Sequence, residues 1–218
     1  METLSVNKLK EMILYVADQI IESKPLLTEL DSAIGDGDHG IGMEKGFLKV
    51  KEKISAMNPS ENVYDVFTAT GRTLLMSMGG ASGVMFGHFF AAGAKNAEPK
   101  TFLNPEDFIA LMQKSLNTIK DTGKANIGDK TMVDALEPAV QAMKMQGGTS
   151  FIDLFRSAES AAKEGAEKTK AYQAKYGRAI FLMERAIGHQ DPGATSVWII
   201  FRSLREFVEK FTEGKQAG

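Results

Sequence analysis

Apolar residues recur along most of this chain at the spacing of an α-helix, and this periodicity restricts the fold more than any other feature. From Leu9 to Ile21 the apolar residues stand three and one apart, which places them in one stripe on a helix. A second stripe runs from Ile200 to Phe211, with charged residues on the other face. Alternation of apolar and polar residues, the signal of a strand, is hard to find. The sequence therefore predicts an all-α protein.

Further helices are predicted between these two stripes. Pro25 and the turn after it end the first helix, and Pro138 either kinks its helix or marks where that helix begins. Residues 196–201 could form a short buried strand, but the stripe that continues to Phe211 favours a helix. Residues 96–103 are predicted to be a loop within one domain that covers 1–218. The predicted intervening helices are 43–55, 63–78, 83–95, 105–121, 131–146 and 151–173.

Composition excludes several classes of function. The 218 residues suit one domain, and 26 Lys and Arg against 28 Asp and Glu give a net charge of −2. Such a balance gives no electrostatic reason to bind nucleic acid or an anionic membrane. The absence of cysteine excludes disulfides, a thiol nucleophile and a thiolate metal site, and it fits a cytoplasmic protein.

One uncharged segment, Thr73 to Ala94, is long enough to cross a bilayer, which takes about 20 residues. Five glycines, two serines and His88 interrupt its hydrophobic character. We therefore expect a buried pair of helices joined by a turn, and no membrane span.

The segment from Asp31 to Gly40 concentrates carboxylates, a histidine and glycines, and it predicts a site for a metal ion and phosphate. Asp31, Asp36 and Asp38 are spaced for a turn that folds back from a helix end, not for one helix face. Hard cations such as Mg²⁺ take several oxygen ligands and often share phosphate oxygens. A helix–loop–helix calcium site is excluded, because its glycine and glutamate are missing in register. A capped, solvated turn is the alternative.

A second segment, Gly79 to Gly83, precedes an apolar helix. Its small residues would let backbone amides approach an anion at the helix N-terminus. The Gly-Lys-Ser/Thr ending of a P-loop is missing. A close helix crossing that needs small residues is an equally weighted alternative.

A third segment, residues 123–132, carries two lysines. Lys124 and Lys130 offer cations to an anionic ligand, and Asp129 could cap a helix that begins at Thr131. A charged, solvated loop is the alternative at this segment.

A fourth segment, residues 177–196, combines an arginine with a proline turn. Arg178 is a candidate phosphate ligand, because a guanidinium matches phosphate geometry. Asp191 opens a turn in which Pro192 sets the backbone geometry. In an all-helical protein, the turns at one end can converge on a common ligand.

Together, these four segments resemble the L-subunit family of bacterial dihydroxyacetone kinase, the nucleotide-binding part of that kinase. They occur in the family's order over nearly the whole chain, and four motifs together are far more specific than any one. The resemblance implies an antiparallel barrel of eight amphipathic helices, with the nucleotide and a pair of Mg²⁺ ions in the loops at one end. The matching stretches are Ile34–Gly40, Gly79–Gly83, Gly128–Met132 and Gly188–Ser196.

The resemblance also implies roles for individual residues. Asp31, Asp36 and Asp38 would be the metal ligands, and Arg178 would be the catalytic residue that neutralises the transferring charge. Gly42 stands where relatives often carry Asn or Thr, so a side-chain contact to the nucleotide is expected to be lost there. The residues expected around ADP or ATP are His39, Gly40, Ile41, Gly42, Ala81, Ser82, Gly123, Met132, Arg178, Asp191, Pro192 and Gly193.

The family's partners follow from the same resemblance. A separate K subunit holds dihydroxyacetone, so the chain is expected to be a phosphotransferase subunit that is active only with partners. In one branch ADP stays bound as a cofactor, and a phosphohistidine carrier (the M subunit) of the phosphoenolpyruvate phosphotransferase system recharges it to ATP. In the other branch ATP exchanges freely, usually with K and L fused. A separate L chain favours the first branch.

Three points stay open at this stage. A kinase for another small ketose such as erythrulose is one alternative, because specificity would lie on the partner. An ADP-binding regulatory partner without catalysis is another. A homodimer is compatible with the sequence, which does not determine the oligomeric state.

Overall fold

The computed structural model describes residues 1–58, 60–148 and 150–213. Two two-residue strands, β1 (Leu4–Ser5) and β2 (Phe102–Leu103), pair antiparallel, with Leu4 opposite Leu103. Two 3₁₀ segments cover Thr169–Ala171 and Arg178–Ala186. The α-helices in the described residues are α1 (Val6–Glu22), α2 (Lys24–Ile34), α3 (His39–Ser55), α4 (Val63–Ser77), α5 (Gly80–Ala91), α6 (Pro105–Gly123), α7 (Val133–Gln146), α8 (Phe151–Lys168) and α9 (Pro192–Glu213).

Eight of these helices form a closed ring. Contacts run from α1 to α3, then in chain order through α4, α5, α6, α7, α8 and α9, and from α9 back to α1. Neighbours are antiparallel: Lys51 of α3 pairs with Asp18 of α1, while Lys10 near the start of α1 reaches the carbonyl of Met57 just beyond α3. The predicted all-α barrel of eight helices is confirmed. Helix α2 lies beside this ring, against α3 and α9.

The inner faces of the ring form one apolar core. Phe47, Phe86, Phe155 and Phe201 are among its largest fully buried side chains. Phe155 meets Phe108 edge-on, with ring centroids 5.2 Å apart, which is a favourable geometry for aromatic pairs. The core thus fixes the ends of the helices, and with them the loops that join them.

Several helix boundaries differ from the prediction. The turn expected after Pro25 is wrong: α2 begins at Lys24, because proline is tolerated in the first turn of a helix. Pro138 lies inside α7 and does not mark its start. Residues 196–201 are helical as favoured, but α9 begins earlier, at Pro192. The helix predicted over 151–173 ends at Lys168 and gives way to a 3₁₀ turn.

The uncharged stretch from Thr73 to Ala94 forms the end of α4, a turn and helix α5. Among the described residues, none of the helices combines the length and apolar character that crossing a membrane requires.

Candidate functional site

A cavity of about 620 Å³ opens at the end of the barrel where α3, α5, α7 and α9 begin. The first amides of a helix have no partner within the helix, and the helix dipole makes this end positive. Four helices that start around one cavity therefore favour an anionic ligand there. The volume lies in the range of small-molecule sites.

Three carboxylates lie together at the rim of this cavity. Asp31 stands in the last turn of α2, and Asp36 and Asp38 follow in the loop to α3. Each offers an oxygen that lies within 4.8 Å of the other two. The loop depends on glycine: a Cβ on Gly35 would lie 2.4 Å from Asp31 Oδ1, and Gly37 has φ +76°. Among the described residues, this is the group that could hold a metal ion.

The charges of this cluster are incompletely balanced by the protein. Partial burial raises the pKa of Asp38, and the neighbouring Asp36 and Asp31 carboxylates raise it further, while Arg178 opposes the shift. The exposed Arg178 guanidinium lies 2.9 Å from Asp36 Oδ2. Oxygen donors crowded in this way suit a hard cation such as Mg²⁺, which would remove their mutual repulsion.

His39 is held neutral and in one tautomer. Its Nε2 lies 2.9 Å from Ser196 Oγ, and that hydroxyl donates its own proton to the Pro192 carbonyl at 2.9 Å. His39 Nε2–H therefore donates to Ser196, which leaves Nδ1 as an acceptor facing Ser82 Oγ at 3.5 Å. Burial lowers the pKa of His39 to about 4. The backbone N–H of His39 donates to Asp31 Oδ2 at 3.1 Å, which ties α3 to the acidic cluster.

Gly79 and Gly80, at the junction of the turn with α5, serve the turn and not close packing. Gly79 and Gly80 have φ of +76° and +59°, and a Cβ on either would meet nothing within 4 Å. A tight helix crossing at these two positions is thus ruled out, and their positive φ is the reason for glycine. The turn leaves the first amides of α5, including those of Ala81 and Ser82, beside the cavity.

The loop before α7 is organised by a different carboxylate from the one expected. The predicted cap, Asp129, accepts from the Asn126 amide at 2.8 Å instead. Asp134 accepts from the amides of Gly128 at 2.6 Å and Thr131 at 2.7 Å. A carboxylate inside the first turn of a helix can bind the loop amides in this way and also favours the helix dipole.

The two lysines of this loop have different environments. Lys124 is exposed, as in a solvated loop, and lies outside the cavity. Lys130 is only 2% exposed, and its ammonium donates to the carbonyls of Thr169 and His189. The ammonium of Lys130 therefore binds backbone carbonyls, whereas the exposed Lys124 fits the alternative of a charged, solvated loop.

Asp191 caps helix α9. Its Oδ2 accepts from the Ala194 amide at 2.7 Å, and Pro192 follows as the first helical residue. The predicted turn at this segment is thus the start of a helix. Burial raises the pKa of Asp191 to about 7, and Lys130 and the cap hydrogen bond only partly oppose this.

The cavity also has an apolar wall that the sequence analysis missed. Met85 and Phe86 from α5, Ile119 from α6 and Val133 from α7 contribute to it. These positions share the periodicity of the core, so no sequence signal separates a residue in the last buried turn from one that faces a ligand.

Most predicted site residues meet at this cavity. Gly40 and Ile41 do not line it: Gly40 packs α3 against α2, and Ile41 is 53% exposed. A Cβ on Gly42 would meet nothing within 4 Å, so the position has room for a larger side chain. The predicted residues that line the cavity are Asp31, Asp36, Asp38, His39, Gly42, Ala81, Ser82, Gly123, Met132, Arg178, Asp191, Pro192 and Gly193.

Comparison with known proteins decides the family. The family model of the DAK2 domain matches residues 33–206. The chain is 37% identical over 204 residues to the ADP-binding subunit DhaL of the PEP-dependent dihydroxyacetone kinase of Escherichia coli K12. That match covers 93% of this chain and 97% of the relative. The chain belongs to the DhaL family of DAK2-domain proteins.

Other DhaL-family relatives and related kinases agree with this assignment. The ADP-binding subunit DhaL of the PTS-dependent kinase of Lactococcus lactis is 35% identical, over 88% of this chain and 92% of the relative. The D-erythrulose kinase of Mycolicibacterium smegmatis is 31% identical over 92% of this chain, but over only 35% of its own length.

Solved structures extend the similarity to three dimensions. The dihydroxyacetone kinase of C. freundii superposes with a TM-score of 0.72 at 27% identity, over 91% of this chain. The same kinase in complex with AMP-PNP and Mg²⁺ gives a TM-score of 0.71 at 26% identity. This DhaL-family chain corresponds to 34% of the length of that larger kinase chain.

Proposed function

We propose that this chain is the ADP-binding subunit of a phosphoenolpyruvate-dependent dihydroxyacetone kinase. The observation that carries the proposal is the cavity at the helix N-termini, with three carboxylates at its rim whose oxygens lie within 4.8 Å of one another. That donor set fits Mg²⁺ and a polyphosphate, and the relative from Escherichia coli with this activity is similar over nearly its whole length.

In this proposal Asp31, Asp36 and Asp38 hold Mg²⁺, which would neutralise charge on the phosphates and orient them. The amides at the start of α5 receive phosphate oxygens, and the apolar wall around Phe86 accommodates the base. Arg178, which lies beside this cluster, balances negative charge as the phosphoryl group leaves. Phosphoryl transfer depends mainly on such positioning and charge neutralisation, so these groups suffice in kind.

Fixed proton positions complete the roles of this chain. His39 stays neutral, because burial lowers its pKa to about 4. Its Nδ1 lone pair orients the Ser82 hydroxyl, and the Ser82 amide remains directed at the phosphates. Gly40 and Ile41 do not line the cavity, so in this proposal they affect nucleotide binding only through the position of α3.

Partners complete the reaction in this proposal. A K subunit presents dihydroxyacetone at the open mouth of the cavity, and a phosphohistidine carrier, the M subunit, recharges ADP in place. Support comes from identity: relatives named as PEP- or PTS-dependent are 35–37% identical, while the D-erythrulose kinase is 31% identical. The proposal places these steps in the cytoplasm, and it does not require a homodimer.

Reconstitution tests the proposal. Purified chain, a K subunit and the phosphotransferase components are mixed with dihydroxyacetone and Mg²⁺, and phosphorylated product is measured with phosphoenolpyruvate or with ATP as donor. Product formation with phosphoenolpyruvate and catalytic amounts of ADP supports the proposal. Turnover with ATP alone would instead assign the ATP-dependent ketose kinase. No transfer despite tight ADP binding would assign the regulatory role.

A further inference from the structure

Lys130 is a buried lysine beside the cavity that the proposed transfer does not use. It is 2% exposed, and its backbone has φ +59°, a conformation that residues other than glycine rarely adopt. Its ammonium donates to two backbone carbonyls, those of Thr169, at 2.6 Å, and His189. A buried charge and a left-handed backbone are both unfavourable, so strong local contacts must hold this residue in place.

Those two carbonyls bracket one stretch of chain, residues 170–188, which we call the lid segment. Two other hydrogen bonds join its ends. The Gly188 amide donates to the Lys170 carbonyl at 2.7 Å, and the Asp191 amide donates to Thr169 Oγ1 at 2.9 Å. Lys130, which lies in the loop before α7, donates hydrogen bonds at both ends of the lid segment. It therefore ties the base of the lid segment to the loop that precedes α7.

Most lid-segment residues from 175 to 188 are exposed, but Lys175 also joins the segment to the loop before α7: its ammonium pairs with Asp129 Oδ1 at 2.6 Å, and its amide donates to the Asp129 carbonyl. Ala174 and Ala186 pack in a small cluster with Ile34, which is separate from the main core. Arg178 pairs with Asp36 at 2.9 Å, and Tyr176 Oη donates to the Lys124 carbonyl at 2.9 Å. The position of Arg178 thus depends on these contacts together with the hydrogen bonds that hold the two ends of the segment.

Two nearby carboxylates partly offset the unfavourable burial of the Lys130 ammonium. Burial lowers the pKa of its ammonium, and the Asp191 and Asp134 carboxylates oppose that shift. A methionine would fill nearly the same space but could donate to neither carbonyl. The hydrogen-bond donors of Lys130, and not the volume of its side chain, therefore determine its role.

We infer that Lys130 is a positioning residue whose ammonium clamps both ends of the lid segment, so that Arg178 stays over the cavity and bound nucleotide leaves slowly. The effect on nucleotide rests on the proposed function. The clamp itself does not, because it is formed by this chain alone.

Hydrogen exchange in nucleotide-free protein tests the clamp. Lys130→Met should speed exchange at lid-segment amides, including those of Lys175 and Gly188, which bond to the Asp129 and Lys170 carbonyls. Exchange in the cores of α1, α4 and α8 should stay unchanged. Lys124→Met is the matched control: it lies in the same loop, has φ +58° and is exposed. Unchanged lid exchange, or faster exchange everywhere, would overturn the inference.

The rate of ADP release in Mg²⁺ tests the consequence. Loss of a charge-assisted hydrogen bond of ordinary net strength should make release from Lys130→Met about tenfold faster, while Lys124→Met keeps the wild-type rate. In an Arg178→Ala background, Lys130→Met should add little, because both changes act through the same lid segment. The same tenfold factor in both backgrounds would mean that Lys130 acts on the nucleotide directly, contrary to the inference.

A second variant keeps the inference testable if Lys130→Met does not fold. Thr169→Val removes the acceptor of the Asp191 amide. It therefore weakens the hydrogen bonding that joins the two ends of the lid segment, and it changes no charged group. It should also speed lid-segment exchange, and an unchanged lid would count against the clamp. If wild-type protein binds no ADP, the proposed function fails, while the exchange measurement still decides the role of Lys130.

Discussion

At the scale of single residues, the proposed metal binding rests on the acidic cluster. Asp36→Asn removes one anionic ligand and leaves Arg178 without its partner at 2.9 Å. We expect Mg²⁺-dependent ADP affinity to fall by at least about tenfold, since even residues that only support metal ligands change affinity by factors of about 10–100. Isothermal titration at several Mg²⁺ concentrations measures this. The control Asp121→Asn, on the exposed face of α6, should bind as wild type. Full affinity in Asp36→Asn would refute the metal assignment.

Asp191 gives the nucleotide-free protein a specific dependence on pH. Its pKa is raised to about 7 in the folded state from an ordinary value near 4, so between these values the folded state binds the extra proton. This contribution to stability is fully present below about pH 4 and is lost as the pH rises through about 7. His39 acts in the opposite sense: its pKa is lowered to about 4, so its contribution is present above about 6.5 and is lost as the pH falls through 4.

Asp191→Asn isolates the first of these effects. Asparagine is also a good helix cap, so the variant should fold, but it cannot titrate. The Tm difference between wild type and Asp191→Asn, measured without nucleotide from pH 4 to 8, should shift in favour of the variant as the pH rises. Parallel Tm curves would show that Asp191 keeps an ordinary pKa in the folded protein.

At the scale of elements, two glycines of α3 have opposite roles. Gly42 is in a helix with open space around its Cβ position, so Gly42→Ala should stabilise the protein by about 0.5–1 kcal/mol. A Cβ on Gly40 would lie 2.2 Å from Thr28 Oγ1 and 2.6 Å from the Lys24 carbonyl of α2. Gly40→Ala should therefore destabilise it by about 1–3 kcal/mol. Urea denaturation compares them, and equal effects would contradict the packing of α2 on α3.

The helices were predictable to different degrees, for physical reasons. Long amphipathic helices such as α1 show their apolar stripe because one face meets the core. Helix α2 was missed because it lies beside the ring, buries only Leu27 and Ile34, and carries Pro25 in its first turn, where proline does not break a helix. Helix α9 was placed too late, because Asp191 and Pro192 are typical both of turns and of helix starts.

At the scale of the whole molecule, core residues that stabilise the closed ring can be distinct from the residues that line the cavity. Phe155 is fully buried in α8 against Phe108 and Phe151, and it does not line the cavity. Phe155→Ala should cost about 3–5 kcal/mol of unfolding free energy. The further gain in Tm on adding ADP and Mg²⁺ should remain, because ligand linkage adds to core stability when the site is intact. Loss of that gain would mean that this part of the core shapes the site.

The site itself was predictable only in part. Asp31, Asp36 and Asp38 were found because three carboxylates in one short glycine-rich segment supply the oxygen ligands that a hard cation needs. Phe86 could not be recognised as a residue of the cavity wall, because its spacing matches the apolar periodicity of the core. The role of Lys130 could not be predicted, because nothing in the sequence places the carbonyls of Thr169 and His189 beside its ammonium. Contacts between segments far apart in the chain arise only when the ring closes.

The most direct test of the nucleotide and metal site is the nucleotide content of purified protein after extensive dialysis with Mg²⁺. The sample is quenched in acid, and the released nucleotide is separated by chromatography and quantified per chain. The proposed function predicts close to one ADP per chain, held by the acidic cluster and the lid segment and lost when Mg²⁺ is chelated. Absence of nucleotide, together with failure to bind ADP or ATP at any Mg²⁺ concentration, would contradict it.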